Sequence, residues 1–337
     1  MTTPTSTPVT TEALASAMSR SRFSLGAFKI FAIKNAMMLV MVLVIVYFTL
    51  ASPLFATLDN VQNILLAAAP FALIAFGQTL VILTGGIDLS VGSTIALSAM
   101  IAAWWARANP EQIWIGFAVA VASGILVGLI NGALVAFLRV PAFIATLAML
   151  TLASGLAYVI GDGAPINGLP AAYGDIAKFK VLGLQFPVIV MIVGFIVLAV
   201  VMRKTVYGTR IYATGGNPQA SRIAGIKVSA VLLSVYVISG GLAAASGVLL
   251  SSRVIAGTPS LGQGYELDAI AAVVIGGASL MGGRGTVWGT LIGLLLIQTL
   301  NNGMDLLLVP SYWQSVIKGV LIAAAVAADV YVSRRTH

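Results

Sequence analysis

Ten stretches of close to twenty apolar residues follow one another along this chain, at 35–55, 61–83, 89–106, 113–138, 142–160, 187–202, 229–250, 267–282, 286–303 and 314–332. A helix needs about twenty residues to cross the roughly 30 Å hydrocarbon core of a bilayer, so each stretch is a candidate span. Of the 337 residues, 59% are hydrophobic and only 8% are charged, against about a quarter charged in an average soluble domain. In lipid the backbone must satisfy its own hydrogen bonds, which leaves helices or closed barrels. The runs are continuous rather than alternating, which excludes barrel strands. The predicted fold is therefore all-α: a polytopic membrane bundle of about ten transmembrane helices over 35–332. It is flanked by a disordered tail at 1–34 and a short tail at 333–337. The third and eighth runs are short, as tilted, broken or re-entrant segments would be.

The net charge of +8 is spread as a topology signal, with no cationic stripe carrying interleaved aromatics as on a nucleic-acid surface. Arg139, then Arg203, Lys204, Arg210, Arg222 and Lys227, then Arg284, lie in turns of one parity, together with the basic ends Arg20, Arg22, Lys29, Lys34, Arg334 and Arg335. The other turns hold Asp59, Glu111, Asp162, Asp175 and Asp305, with Arg107, Lys178, Lys180 and Arg253 as exceptions. Positive charge is retained on the cytoplasmic side, so both termini are expected there and the span count is even. The first apolar run begins near Ala36 without a cleavage site and is read as an uncleaved span. With no cysteine and one histidine, His337, disulfides, thiolate chemistry and a histidine metal site are excluded, and no cofactor is expected.

Four short segments stand out. Gly85-Gly86-Ile87-Asp88-Leu89-Ser90-Val91-Gly92-Ser93 interrupts two apolar runs. Asp88 there reads either as a helix cap or as an ionisable residue lining a path or gate, and Glu266 and Asp268 pose the same choice. Gly86-Ile87-Asp88-Leu89 is echoed by Gly264-Tyr265-Glu266-Leu267 five spans later, and Asn131-Gly132 by Asn302-Gly303. Because five is odd, the echo suggests a 5+5 inverted repeat, an architecture in which substrate passes between the halves. The polar stretch 203–227 carries Asn217 as an N-cap, Pro218 at the first helical position and Gly225 as a stop. The expected short helix, 218–224, displays Gln219 and Arg222 and suits either an ordered loop on anionic lipid or a docking element for a cytoplasmic partner. Glycines at 276–285 lack the Gly-Lys-Ser/Thr ending of a phosphate loop; they, and Gly124, Gly128 and Gly132, are read as close-packing positions. Intramembrane polar residues are few: Gln78, Thr79, Ser93, Asn131, Thr146, Ser154, Gln298, Asn301 and Asn302. Together they could line a wet conduit for a hydroxyl-rich solute, with Phe71, Phe143, Trp104 and Trp105 as stacking faces. No nucleophile–base or metal set points to a membrane enzyme.

The stretches Leu83 to Ser93, Thr214-Gly215-Gly216-Asn217, Gly264 to Ala271 and Val274 to Leu280 resemble the ribose/xylose/arabinose permease family of bacterial ABC importers, from about Asn60 to the last span. The resemblance implies an inner-membrane permease subunit without its own nucleotide site. It would pair with a second permease subunit, identical or paralogous, and work with a cytoplasmic ABC ATPase and a periplasmic sugar-binding protein. Asn217, Pro218, Gln219, Arg222 and Gly225 would couple to the ATPase. Asp88, Ser90, Ser93, Asn131, Phe143, Glu266, Asn301 and Asn302 are the candidates for the path or its gate. The rival reading is a self-sufficient proton-coupled sugar carrier using Asp88 and Glu266.

Overall fold

The computed structural model describes residues 36–335. The predicted tail at 1–34, the side chains of Arg334 and Arg335 and the final residues 336–337 lie outside the described residues.

The described chain is mostly helical. Its elements are α1 (Ala36–Ala51), α2 (Leu58–Leu83), α3 (Val91–Ala108), α4 (Ile113–Ala136) and α5 (Ala142–Ile160), then a connecting unit, then α7 (Phe186–Lys204). The connecting unit holds a 3₁₀ turn (Ala171–Gly174), the one-turn α6 (Asp175–Lys178) and a hairpin of β1 (Lys180–Val181) with β2 (Leu184–Gln185). After α7 come α8 (Val206–Gly216), α9 (Pro218–Ile223), α10 (Val228–Val254), α11 (Tyr265–Ile275), α12 (Val287–Leu306) and α13 (Ser311–Arg335). Each of the ten apolar runs falls on one of these helices, and α2, α4, α5, α7 and α10 are long and apolar enough to cross a membrane.

The eighth run departs most from a full span. The sequence predicts it over 267–282, but α11 ends at Ile275 after 11 residues, about 16 Å of helix and half of what a bilayer core requires. The stop is made by Gly277 at φ 88°: its N–H donates to the Val274 carbonyl at 2.8 Å and the Ala278 N–H to Val273 at 3.1 Å, the paired bonds of a Schellman close. Residues 276–286 then run as irregular chain to α12.

At the centre lies α2, 78% buried over its most apolar window against 28% for α5 and α7. Its residues join those of α7, α10, α11 and α12 in the main apolar core. On α4 the predicted small-residue stripe does pack closely: a Cβ on Gly124 would strike Gly240 and Ala244, on Gly128 Tyr236 and Val237, and on Gly132 Leu233. The order of those partners shows α4 antiparallel to α10, with backbones brought together as small residues allow. The helices that touch also repeat. Contacts of α4 with α10, α3 with α4, α3 with α5 and α3 with α10 have counterparts five spans on in α12 with α2, α11 with α12, α11 with α13 and α11 with α2.

Connections sort to two ends of the bundle. At one end the turn after α2, the end of α8 and the segment before α12 meet: the Gly283 N–H donates to the Leu83 carbonyl at 2.9 Å. At the other, Ile166 and Gly257 exchange backbone hydrogen bonds at 2.8 and 3.0 Å, and the Tyr173 hydroxyl lies 2.8 Å from that of Ser251. Burial pushes the Tyr173 phenol up to about 12, so it stays neutral in this contact.

Candidate functional site

Between α2 and α3 the helix is broken. Gly85, at φ 81°, closes α2 with bonds from its own N–H to Ile82 at 2.9 Å and from Gly86 to Val81 at 3.0 Å. Residues 86–90 then run outside regular structure, with Gly86, Asp88 and Ser90 buried. Backbone groups there have no helical partners, and leaving them bare away from water is costly. Neighbouring side chains fill the gap. The Gln78 amide, with its nitrogen toward Asp88, donates to the Asp88 carbonyl at 3.2 Å and accepts its N–H at 3.3 Å. Thr146 donates to the Ile87 carbonyl at 3.2 Å.

The Asp88 carboxylate ties this break into a knot. Oδ1 accepts the Ser90 N–H at 2.9 Å and the Ser90 hydroxyl at 2.6 Å, and Oδ2 accepts the Ser239 hydroxyl of α10 at 3.0 Å. Asn131 of α4 donates to the Ser90 oxygen at 2.8 Å. Asp88, Ser90 and Asn131 are thus brought together. The bond to the Ser90 N–H closes an Asx-type turn just ahead of α3, whose N-cap is Ser90 without a side-chain cap bond, so Asp88 is not the helix cap that the sequence allows. At 1% exposure, Asp88 faces this knot rather than any open space.

Ser93 and Glu266 meet elsewhere, on a cavity of about 190 Å³ between α3, α5 and the turn leading into α11. Glu266 packs against Gly92: a Cβ there would overlap the Glu266 carboxylate and the Gly262 carbonyl. The two broken helices of the sequence echo therefore abut at their N-terminal ends. Ser154, also read from the sequence, shares the wall with Tyr158, Ser260 and Gln263, which the sequence does not single out. Tyr158 looks like one more aromatic near a span end and the other two like turn residues; only the echo, which brackets both walls, marks their place. Phe143 is 54% exposed, Asn302 exchanges amide hydrogen bonds with Asn60 at 2.8 and 2.9 Å, and the Asn301 Oδ1 is buried without a partner. None of the three lines the cavity.

A helical arm stands at the end of the bundle where Leu83 and Gly283 meet. The sequence predicts one helix, over 218–224, in the polar stretch 203–227; the stretch holds two. Unforeseen α8 starts from the Thr205 hydroxyl, which accepts the Gly208 N–H at 3.3 Å, and buries Ile211 and Thr214. The α9 helix is as expected but one residue shorter, ending at Ile223. The Asn217 Oδ1 accepts from Gln219 and Ala220 at 3.0 and 2.9 Å, and Gly225, at φ 81°, closes it through Gly225 to Arg222 and Ile226 to Ser221 bonds. Gln219 and Arg222 are exposed, and Ile223 is 90% exposed.

The arm is rooted on the break through glycines. A Cβ on Gly215 would strike the Leu83 carbonyl and the Gly283 nitrogen, and one on Gly282 the Gly215 carbonyl and Gly85. The Tyr212 hydroxyl donates to the Gly285 carbonyl at 2.9 Å. Burial pushes the phenols of Tyr207 and Tyr212 up, so both remain neutral hydrogen-bonding groups. On the opposite side of α11 from the cavity, Lys318 of α13 pairs with Asp268 at 2.9 Å, the two side chains 27% and 11% exposed. Lys318 carries no signal in the sequence.

Residues 60–326 match the family described as the branched-chain amino acid transport system / permease component. The chain is 43% identical over 289 residues to the ribose import permease protein RbsC of Bacillus subtilis (strain 168), covering 85% of this chain and 89% of that protein. It is 42% identical over 300 residues to the RbsC of Escherichia coli (strain K12), 88% and 93% of the two chains. It is also 36% identical over 295 residues to the L-arabinose ABC transporter permease protein AraH of Azospirillum brasilense, 87% of each. No solved structure matches this chain.

Proposed function

This chain belongs to the permease-component family that includes the ribose import permeases, and on that premise we propose that it is the membrane subunit of a binding-protein-dependent ABC importer for a monosaccharide, ribose or a related pentose or polyol. It is a multi-pass protein of the inner membrane. ATP is hydrolysed by a separate cytoplasmic ATPase, a periplasmic binding protein delivers the sugar, and two permease subunits, identical or paralogous, work as a pair.

The observation that carries this reading is the arm α8–α9. A capped helix with an exposed Ile223 and Arg222 at its tip has no use inside a bilayer, and it suits insertion into a groove of another protein. Asn217, Pro218, Gln219, Arg222 and Gly225 form that contact. The cationic turns 139, 203–227 and 284 lie on the cytoplasmic side, together with both termini, and the hairpin β1–β2 lies on the other. The repeated contact pattern and the abutting breaks support ten spans arranged as a 5+5 inverted repeat. In this arrangement Ser93 and Glu266 line the path and Asp88, Ser90 and Asn131 hold its wall, while Phe143, Asn301 and Asn302, read from the sequence as path or gate residues, stand away from the cavity beside Glu266.

A proton-coupled carrier would need both Asp88 and Glu266 to exchange protons with an aqueous path, and of the two only Glu266 lines a cavity. Asp88 instead spends both oxygens on three buried hydrogen bonds, which counts against that reading. Reconstitution into proteoliposomes decides between the two. Uptake of ribose should require the ATPase, ATP and the binding protein, and uptake driven by a pH gradient alone would overturn the proposal. Arg222→Ala should reduce uptake while the binding protein still captures sugar.

A further inference from the structure

The cavity beside Glu266 has a chemistry that selects its occupant, and this inference rests on the permease reading above. Its polar lining comprises Ser93, Ser154, Tyr158, Ser260, Gln263 and Glu266. Three serine hydroxyls and a phenol can each donate or accept, the amide does both, and the carboxylate accepts from two donors at once. No lysine, arginine or histidine is among the lining residues. A substrate carrying a carboxylate or phosphate would find no counter-charge and would face Glu266 instead. An amino acid could pair its ammonium with Glu266, but its own carboxylate would stay unmet. A neutral polyhydroxylated molecule satisfies every group, and Leu150 and Leu261 on the same wall suit the C–H face of a sugar ring. The volume of about 190 Å³ is of single-monosaccharide size.

We propose that this cavity is a resident monosaccharide site within the permease, with Glu266 accepting a pair of sugar hydroxyls, so that the protein discriminates neutral sugars from amino acids by itself as well as through its soluble receptor. Gly92 is the positioning residue. Its missing side chain leaves the room that the Glu266 carboxylate occupies at the head of α3.

The chain has no cysteine, so Ser154→Cys creates a single thiol in the wall. The full-length variant is placed in nanodiscs without binding protein or ATPase, and its maleimide labelling rate is measured with D-ribose, D-galactose or L-arabinose, and with L-leucine as the control. At least one sugar at millimolar concentration should slow labelling, and L-leucine should not. Adding Glu266→Gln should raise the sugar concentration needed by about tenfold, the loss of a hydrogen bond to a charged group. Gly92→Ala should do the same with Glu266 intact. Equal protection by sugar and leucine, or none by any sugar up to solubility, overturns the site. Should the Ser154→Cys thiol fail to label, Ser260→Cys, an exposed position, serves as reporter, and equilibrium binding of radiolabelled sugar to the wild-type protein answers the same question without a thiol. ATP-dependent ribose uptake by the wild-type assembly with no sugar protection would sink the site and leave the permease reading standing. Protection without ATP-dependent uptake would do the reverse.

Discussion

Asp88 and Asp268 are both acids in apolar surroundings, and their partners differ in kind. Asp88 is held by neutral donors, two from Ser90 and one from Ser239. Asp88→Leu leaves the Ser90 N–H and two hydroxyls without their acceptor, at about 1–3 kcal/mol for each buried group. We expect a clear fall in melting temperature in detergent, with Asp88→Asn intermediate because its amide keeps one acceptor. A melting temperature unchanged by Asp88→Leu would mean the knot holds nothing. Asp268 has a true counter-ion in Lys318. Lys318→Met should cost about 3 kcal/mol by stranding a carboxylate, and Lys318→Met with Asp268→Leu should recover most of it; equal losses for single and double variants would argue that the pair is not coupled. At this scale the sequence is informative where a polar residue breaks an apolar run, as at Asp88, Asn131 and Glu266. It is silent for Lys318, because a lone cation in the last span has no local pattern that names a partner 50 residues earlier.

Helix ends made by glycine are legible at Gly225, which marks the end of α9, and at Gly85, which closes α2. Gly277 closes α11 with the same pair of bonds as Gly85, as a residue free to adopt positive φ can, but that end falls inside the predicted run 267–282. The ends made by Arg139, Asp162, Ile255 and Leu308, all at positive φ, carry no such mark, and for the β-branched Ile255 that conformation is strained. Helix α8 is not legible because Gly208, Gly215, Gly216 and two threonines give it poor intrinsic propensity; burial of Ile211 and the close approach of Gly215 hold it instead. Two outcomes follow for the arm. Gly225→Val forces a branched side chain into left-handed geometry at about 1–2 kcal/mol and should loosen α9, lowering uptake per ATP hydrolysed with the fold intact. Gly215→Val overlaps the Leu83 carbonyl and should uncouple more severely, read as ATPase activity that no longer responds to loaded binding protein. If both variants kept normal coupling, the arm would not be the transmission element.

Over the whole molecule, each of the ten apolar runs falls on a helix of the described residues, and five of those helices are long and apolar enough to cross a membrane. The short third and eighth runs already suggest tilted, broken or re-entrant segments; what hydrophobicity could not reveal is that the two touch. An apolar count is blind to the hydrogen bonds by which Gln78, Thr146 and Asp88 replace a missing helical turn. The proposed sidedness is open to a direct check. Ile223→Cys and Leu182→Cys, both at exposed tips, should react with a membrane-impermeant maleimide from opposite faces, Leu182→Cys in intact spheroplasts and Ile223→Cys only after the membrane is opened. Labelling of both from one face would invert or undo the topology. The meeting of Gly85, Gly215, Gly282 and Gly283 then has a mechanical meaning. Where main chain bears directly on main chain, no rotamer can flex to absorb a push, as teeth cut without clearance leave a gear train no backlash. A motor acting on the arm of such a protein should stall when its load is too great rather than idle, and the number of sugars moved per turn should hold steady as the energy supply runs down.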